Sequence, residues 1–398
     1  MKILTIGASP YLLTKLGKMN NDVLCYLKNL GYEVGSAVWH LDTSWFSPDK
    51  EGTFFFEQDG EIVGNLHPFI HLSDRSSAQL YEIMKKFCPD VVVSIGDYYE
   101  TLCVSPIKAM YPQLFSWIGV FTIDALPINE TMREIFEQVD YSIVTTQSGY
   151  QAVREIVGDD SEYIPYGPDH DNFYPIDGHR DNSRLRTICT SKNSQSTNIA
   201  CFIKGVAETK AGVDGYLHSN IYDIGDYDIH LLIDRFKAED KIKLPGRFVG
   251  LNDGYSCQEL NEEYNKSDVI VDVSVRSATG LSVLEGMSTG CVPVCTRAGA
   301  LGEILKKMPE EYRFEIPSYE FVGEKEEYFF VANIEGLTKI LNNLYDIKML
   351  QPDMFAKMSQ KSIEVASGFC RKKILQRLEE IIKEKVHSKS KISIETLI

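Results

Sequence analysis

The sequence predicts an α/β protein made of two Rossmann-like, doubly wound domains that face each other across a cleft. Short apolar runs alternate with stretches of helical period along most of the chain, which is typical of parallel strands joined by crossover helices. A polar, turn-rich stretch at residues 163–184 interrupts this alternation. The 398 residues, 43% of them hydrophobic, also exceed what one ordinary core holds, so two domains are expected.

The first domain is predicted to span residues 1–180, with strands at ILTIG, YEVGSAVW, DVVVSIGD, FSWIGVFTID and YSIVTT. The second is predicted to span residues 181–365, with apolar strand-like runs at LRTICT, IHLLID, RFVGL, VIVDVS and CVPVCT. From about Ser359 to Lys385 the chain predicts one charged amphipathic helix. We expect its part at about 366–385 to pack back on the first domain.

The composition narrows the class of protein. Asp and Glu number 57 against 41 Lys and Arg, and a net charge of −16 disfavours nucleic acid as a partner but permits a local basic pocket for a small anion. Nine cysteines without a zinc-type pair predict reduced thiols and a cytoplasmic protein, with Cys291 and Cys295 filling the core. No apolar run approaches the roughly 18 residues of a transmembrane segment, so none is expected.

The stretch VIVDVSVRSATGLSVLEGMSTG carries the main candidate site. Asp268 to Val275 predicts a strand, the residues up to Gly280 a loop, and Leu281 to Thr289 a helix. The backbone N–H groups and the dipole at such a helix start suit a phosphate. Glu285 lies about one turn deeper, within reach of a ribose diol, although a solvated helix glutamate would give the same pattern.

Three stretches resemble a known family, the retaining family-four glycosyltransferases of group one, which have the GT-B fold. Residues 277–305, SATGLSVLEGMSTGCVPVCTRAGALGEIL, resemble its glutamate motif, usually close to EGFGLPVLEAMACGCPVV followed by a glycine-rich loop and Glu-Ile. IPYGPDHDNFYPID is similar to its interdomain segment, and residues 228–274 are similar to the run that carries its base-binding strand. The resemblance covers most of the second half of the chain, and the first half only in outline.

The resemblance assigns roles by position. Glu285 matches the glutamate that binds the nucleotide ribose, whereas Ser277 stands where the family has a glutamate that touches the donor sugar. Lys192 matches the arginine that holds the diphosphate, and Thr197 replaces the matching lysine. One arginine near a predicted strand end could compensate, and the candidates are Arg247, Arg276 and Arg297. The other implied donor-binding residues are Thr279, Gly280, Leu281 and Ser282 in the motif loop, Val249 and Gly250 in the base-binding loop 247–250, and Gly17 near the first-loop glycine.

Asp124 follows FTI, where many members have a His-Asp pair, and it completes the candidate catalytic set with Lys192 and Arg276. It could replace that histidine, match the aspartate, or cap a turn.

The implied function is the transfer of a hexose from a nucleotide diphosphate sugar to an acceptor hydroxyl, with retention and without a metal or other cofactor. Family frequency ranks GDP-mannose first and UDP-glucose second. A glycan, a lipid-linked or a protein-linked acceptor and a homodimer are all left open.

The acidic triplets Asp169-His170-Asp171 and Asp226-Tyr227-Asp228 are weak metal candidates. The alternatives are a weakly active or inactive nucleotide-sugar-binding relative and a nucleotide-sugar epimerase on the same fold. A dinucleotide oxidoreductase is disfavoured because GASPYLLTKLG lacks Gly-x-Gly-x-x-Gly.

Overall fold

A computed structural model describes residues 1–10, 12–39, 54–58, 61–71, 77–220, 225–249, 254–323 and 326–387. The described strands form one sheet of eight strands, one of six and a separate two-stranded hairpin. Each larger sheet is covered by helices, which gives the two predicted α/β domains.

The first sheet has the order β3-β4-β2-β1-β5-β6-β7-β8 and is parallel except where β3 pairs with β4. Its strands are β1 (Lys2–Ala8), β2 (Glu33–Trp39), β3 (Phe54–Gln58), β4 (Glu61–His71), β5 (Val91–Gly96), β6 (Ser116–Phe121), β7 (Tyr141–Val144) and β8 (Ser161–Tyr163). Its helices are α1 (Lys15–Asn29), α2 (Ser77–Phe87), α3 (Tyr98–Thr101), α4 (Ser105–Met110), α5 (Glu130–Phe136) and α6 (Gln147–Val157).

The second sheet is parallel, with the order β11-β10-β9-β12-β13-β14. Its strands are β9 (Leu185–Thr190), β10 (Val213–His218), β11 (Ile242–Lys243), β12 (Val269–Asp272), β13 (Val292–Cys295) and β14 (Phe314–Glu315), and β15 (Ser318–Val322) pairs with β16 (Tyr328–Ala332) in the hairpin. The helices are α7 (Ile199–Ala207), α8 (Ile229–Phe236), α9 (Cys257–Asn265), α10 (Leu281–Ser288), α11 (Ala300–Leu305), α12 (Ile334–Leu350), α13 (Pro352–Ser367) and α14 (Arg371–His387).

Two strand predictions in the second domain are wrong. IHLLID is helix α8, because the Asp228 carboxylate accepts the N–H of Leu231 at 2.9 Å and caps a helix that buries Ile229 and Ile233 one turn apart. RFVGL is not a strand over its described residues 247–249. The strand that pairs with β10 comes earlier, at Ile242–Lys243, so that residues 247–249 lie in the loop that follows it.

The predicted single helix at the end of the chain is two helices. Helix α13 packs on α10 of the second domain, whereas α14 returns to the first. Ile374 and Leu378 of α14 lie in the core that also contains Ile3, and the Tyr32 hydroxyl donates to Glu379 at 3.0 Å. The backbone of Gly167 packs against the segment between these two helices. The contact is so close that a side chain at Gly167 would come within 2.5 Å of Cys370 N.

All nine cysteines are free thiols, and Cys291 and Cys295 are fully buried in the core as predicted. Among the described residues, no helix combines the length and the apolar character needed to cross a membrane.

A buried ion pair anchors the segment between the domains. Lys348 and Asp268, whose side chains are 7% and 2% exposed, lie 2.7 Å apart. The Lys348 ammonium also donates to the carbonyl oxygens of Asp181 and Arg184, each at 2.6 Å. Burial raises the pKa of Asp268, and the Lys348 charge opposes that rise. The Lys348 ammonium therefore links the backbone at residues 181–184, where the second domain begins, to Asp268 just before β12.

We predict that Lys348→Met lowers the free energy of unfolding by about 3–5 kcal/mol, because it leaves Asp268 buried without its cation. Lys339→Met, which breaks an exposed pair with Glu335, is the control and should change it by less than about 0.5 kcal/mol. Urea denaturation of both variants measures the difference. Equal midpoints would show that the buried pair does not anchor the segment.

Candidate functional site

The candidate site lies at the carboxyl ends of β9 and β12. Strand order in the second sheet reverses between these two strands, and open α/β sheets bind their ligands at the carboxyl ends of strands at such a point. The two loops touch, because Val275 N donates to Ser196 O at 2.9 Å. The topology therefore brings Lys192, which follows β9, to the same edge as the 276–280 loop, which follows β12.

The strand before the site is shorter than predicted. It ends at Asp272, because the Asp272 carboxylate accepts the N–H of Ser274 at 3.0 Å and turns the chain. Helix α10 begins after Gly280, which has a left-handed φ of 59° and where a side chain would collide with Ile304. No described side chain caps this helix, and all eight of its residues are buried.

Glu285 is a buried carboxylate, only 4% exposed, which rules out the solvated alternative. The Tyr264 hydroxyl donates to its Oε2 at 3.2 Å. The Lys18 ammonium lies 3.6 Å from Oε1 of Glu285, and the negative charge of Glu285 raises the pKa of Lys18. Lys18 belongs to α1 of the first domain, so the carboxylate is compensated by groups from both domains.

The other motif residues are buried as well. Ser277, Thr279, Leu281 and Ser282 are all nearly inaccessible, and the Thr279 hydroxyl has no hydrogen-bond partner among the described residues. Ser277 O accepts the N–H of Ala300 at 2.9 Å. The first residue of α11 thereby fixes the backbone of the loop.

Lys192 is exposed in the loop after β9, and its side chain makes no hydrogen bond or ion pair within the described part of the chain. The Thr197 hydroxyl donates to Lys192 O at 2.6 Å and so shapes this loop. Gly17 lies in the first turn of α1, where a side chain would collide with Leu12 O. The absent side chain lets α1 approach the loop that follows β1.

Val249 is half-buried in the loop after β11, and Gly250 lies outside the described residues. Arg247 beside it is paired with Glu259 at 2.7 Å and lies 4.9 Å from the ring of Tyr255. Arg247 is therefore engaged in structural contacts.

Asp124 and Arg276 meet across the domain boundary, with Oδ2 and Nε 3.4 Å apart. Loss of solvent raises the pKa of Asp124 from 3.8 to about 6, Arg276 opposes the rise, and the nearby Asp97 and Glu327 add to it. The Asp124 carboxyl therefore takes up a proton at a higher pH than an ordinary aspartate does.

The acidic triplets are occupied by protein partners. Asp169 and Asp171 are paired with Arg371 at 2.6 Å and Lys372 at 2.9 Å. Asp226 accepts the N–H of Gln195 at 2.7 Å. No three metal-ligating side chains come together in the described ranges.

Sequence reasoning missed three residues of this region: Lys18, Tyr264 and His218. His218 ends β10, its ring meets that of Tyr255 edge to face at 4.9 Å, and burial lowers the pKa of His218 to about 4. Its Nδ1 has no partner among the described residues. None of the three shows a periodic or spacing signal, since each reaches the site only through the fold.

Comparison with known proteins supports the fold. No family model matches the chain, and no curated protein has a matching sequence. Sucrose-phosphate synthase from Thermosynechococcus elongatus aligns at a TM-score of 0.74 and 13% identity, over 98% of this chain and 100% of that chain. HepE from Anabaena, solved with UDP-glucose, aligns at 0.68 and 14%, over 96% and 100%. The catalytic domain of starch synthase IV from Arabidopsis thaliana, bound to ADP and acarbose, aligns at 0.66 and 13%, over 97% and 99%. The chain therefore has the GT-B fold that its sequence predicts.

We predict that Asp124→Asn stabilises the protein more at pH 8 than at pH 5. Because the folded pKa is raised, the contribution of Asp124 to stability is complete below pH 4 and is lost as the pH rises through about 6. Asparagine removes this loss. Unfolding free energies at the two pH values measure it, with Asp159→Asn, whose side chain is 99% exposed, as the control. An equal difference from wild type at both pH values would contradict the raised pKa.

Proposed function

We propose that the protein binds a nucleotide diphosphate sugar at the carboxyl edge of its second sheet and transfers the hexose to an acceptor hydroxyl with retention. The proposal depends mainly on the buried carboxylate of Glu285, one turn inside a helix that no described side chain caps. A carboxylate accepts hydrogen bonds from a ribose diol, and a helix start suits a diphosphate. The GT-B neighbours, among them HepE with UDP-glucose and starch synthase IV with ADP, support this class of donor.

The proposed reaction uses no protein nucleophile. The acceptor oxygen bonds to the anomeric carbon on the face that the diphosphate leaves, the bond from that carbon to the diphosphate breaks, and the acceptor proton passes to the departing diphosphate. The main requirement is therefore to hold the negative charge that develops on the diphosphate. Preorganised donors typically contribute about 2.7–4 kcal/mol each to such a transition state.

Three groups are candidates to hold this charge, namely the start of α10, Lys192 and Arg276. Lys192 is exposed beside the motif loop and is available to a ligand. Arg276 is held by Asp124 of the first domain, and we expect this pair to lie beside the bound sugar. None of these groups requires a metal ion, so we propose a metal-independent reaction.

Two lines of support for the identity of the donor point to different nucleotides. Family frequency favours GDP-mannose, whereas the ligands of the structural neighbours favour a glucose donor with uracil or adenine. Neutral His218 and the Tyr255 ring lie beside the loop proposed to bind the base and would offer one donor or acceptor nitrogen and a stacking face.

Calorimetry with UDP-glucose, ADP-glucose, GDP-mannose and UDP-N-acetylglucosamine tests donor binding. Donor turnover is then followed by NMR of the anomeric proton, with and without EDTA. Retention and insensitivity to EDTA are expected. An inverted product or turnover that EDTA abolishes would overturn the mechanism.

A second candidate function is nucleotide-sugar binding with little or no transfer. Ser277 offers no carboxylate at the position that touches the sugar in the family, and the Thr197 hydroxyl is bonded to the backbone where the family has a cation. Tight donor binding without turnover would favour this alternative. Conversion of the donor to an epimer would favour the epimerase instead.

We predict that Glu285→Gln raises the Kd for UDP about 10- to 100-fold, because a hydrogen bond to a charged group contributes about 1.5–3 kcal/mol. Glu335→Gln, on the exposed face of α12, is the control. Calorimetry gives both constants, and circular dichroism checks the fold. An unchanged Kd would remove Glu285 from the ribose site.

We predict that Lys192→Ala lowers kcat roughly 100-fold if the ammonium stabilises the departing diphosphate. Lys361→Ala, at an exposed pair on α13, should leave the rate unchanged. Initial rates with saturating donor measure both. A normal rate in Lys192→Ala would leave Arg276 and the helix start as the only stabilising groups of the three.

A further inference from the structure

Helix α6 of the first domain begins without a cap of its own. Its N-cap residue is Thr146, whose hydroxyl donates to Ile123 O at 3.2 Å and accepts nothing from the helix. The first N–H groups of a helix have no partner within the helix and need an acceptor from elsewhere.

The acceptor comes from the second domain. Glu303, on α11, accepts the N–H of Gln147 at 2.8 Å through one carboxylate oxygen. Its other oxygen accepts the N–H of Ser148 at 2.9 Å and the Ser148 hydroxyl at 3.0 Å. The negative charge also lies at the positive end of the α6 dipole, where charged hydrogen bonds are strong. One domain therefore caps a helix of the other.

This contact adjoins the candidate site. Thr145, two residues before α6, donates its hydroxyl hydrogen to Ala278 O at 3.1 Å. Gly299, just before α11, packs against Ser277 O so closely that a side chain there would collide with it. The turn that begins α6 thus contacts both α11 and the motif loop, and a shift of α11 from α6 would shift that loop relative to the first domain.

We propose that Glu303 is a positioning residue that holds the cleft closed by capping α6 across the domain boundary. Closure excludes water, which would otherwise compete with the acceptor for the sugar. The residue would act more on turnover than on nucleotide binding, because Glu285 and the helix start both belong to the second domain and the first domain adds only Lys18 beside Glu285. The kinetic part of this inference rests on the proposed function, whereas the cap itself does not.

The test compares Glu303→Ala and Glu303→Gln with Glu335→Gln as the control for a lost surface carboxylate. Hydrogen exchange at residues 147–150 and the radius of gyration from X-ray scattering report on the cap and on closure without any ligand. We expect faster exchange and a larger radius in Glu303→Ala. Glu303→Gln should fall between wild type and Glu303→Ala, because its amide keeps one acceptor oxygen where the carboxylate has two.

In kinetic assays, Glu303→Ala should lower kcat for transfer about 10- to 100-fold and increase the share of donor lost to water, as expected when reacting groups are misplaced. The Kd for UDP should change less than twofold. A parallel loss of thermal stability, UDP binding and kcat would overturn the proposal in favour of a merely structural role.

Unchanged exchange and radius in Glu303→Ala would also overturn it. If the wild-type protein transfers no sugar, the proposed function fails, but hydrogen exchange and scattering still decide whether Glu303 closes the cleft.

Discussion

A carboxylate buried at the domain boundary sets the requirements for the rest of the structure. Glu285 is almost inaccessible, and a buried charge is costly unless opposite charge and hydrogen bonds compensate it. Tyr264 of the second domain and Lys18 of the first provide that compensation. The nearby carboxylate raises the pKa of Lys18, which keeps the ammonium charged. The charge balance of the site therefore depends on both domains being in contact.

Parallel topology explains why the candidate groups share one edge. Lys192 and the motif loop follow β9 and β12, the two strands between which strand order reverses. Gly280 permits the left-handed turn into α10 and the close contact with Ile304. The backbone geometry thus leaves the first N–H groups of α10 without a side-chain cap, and Lys192 and Glu285 add charge to the same edge of the sheet.

The sequence predicts the two-domain α/β fold and the helix that carries Glu285, because strongly periodic segments and glycine-bounded loops are local signals. It fails at IHLLID, since a short apolar run cannot distinguish a helix from a strand and the Asp228 cap decides the outcome. It also misses the partners of Glu285. Lys18 lies 267 residues away along the chain, and no local pattern reports a contact over that separation.

A residue without a side chain lies where the two domains meet. Gly299 has a φ of 47°, a region that disfavours other residues, and it lies against the backbone oxygens of both Ser277 and Asp124. Position 277 carries a serine, and the neighbouring Arg276 pairs with a carboxylate of the first domain, Asp124. The charged groups of the candidate site are thus divided between the domains, with Glu285 and Arg276 on one and Lys18 and Asp124 on the other. Contact between the domains therefore assembles the electrostatics of the candidate site as well as its shape.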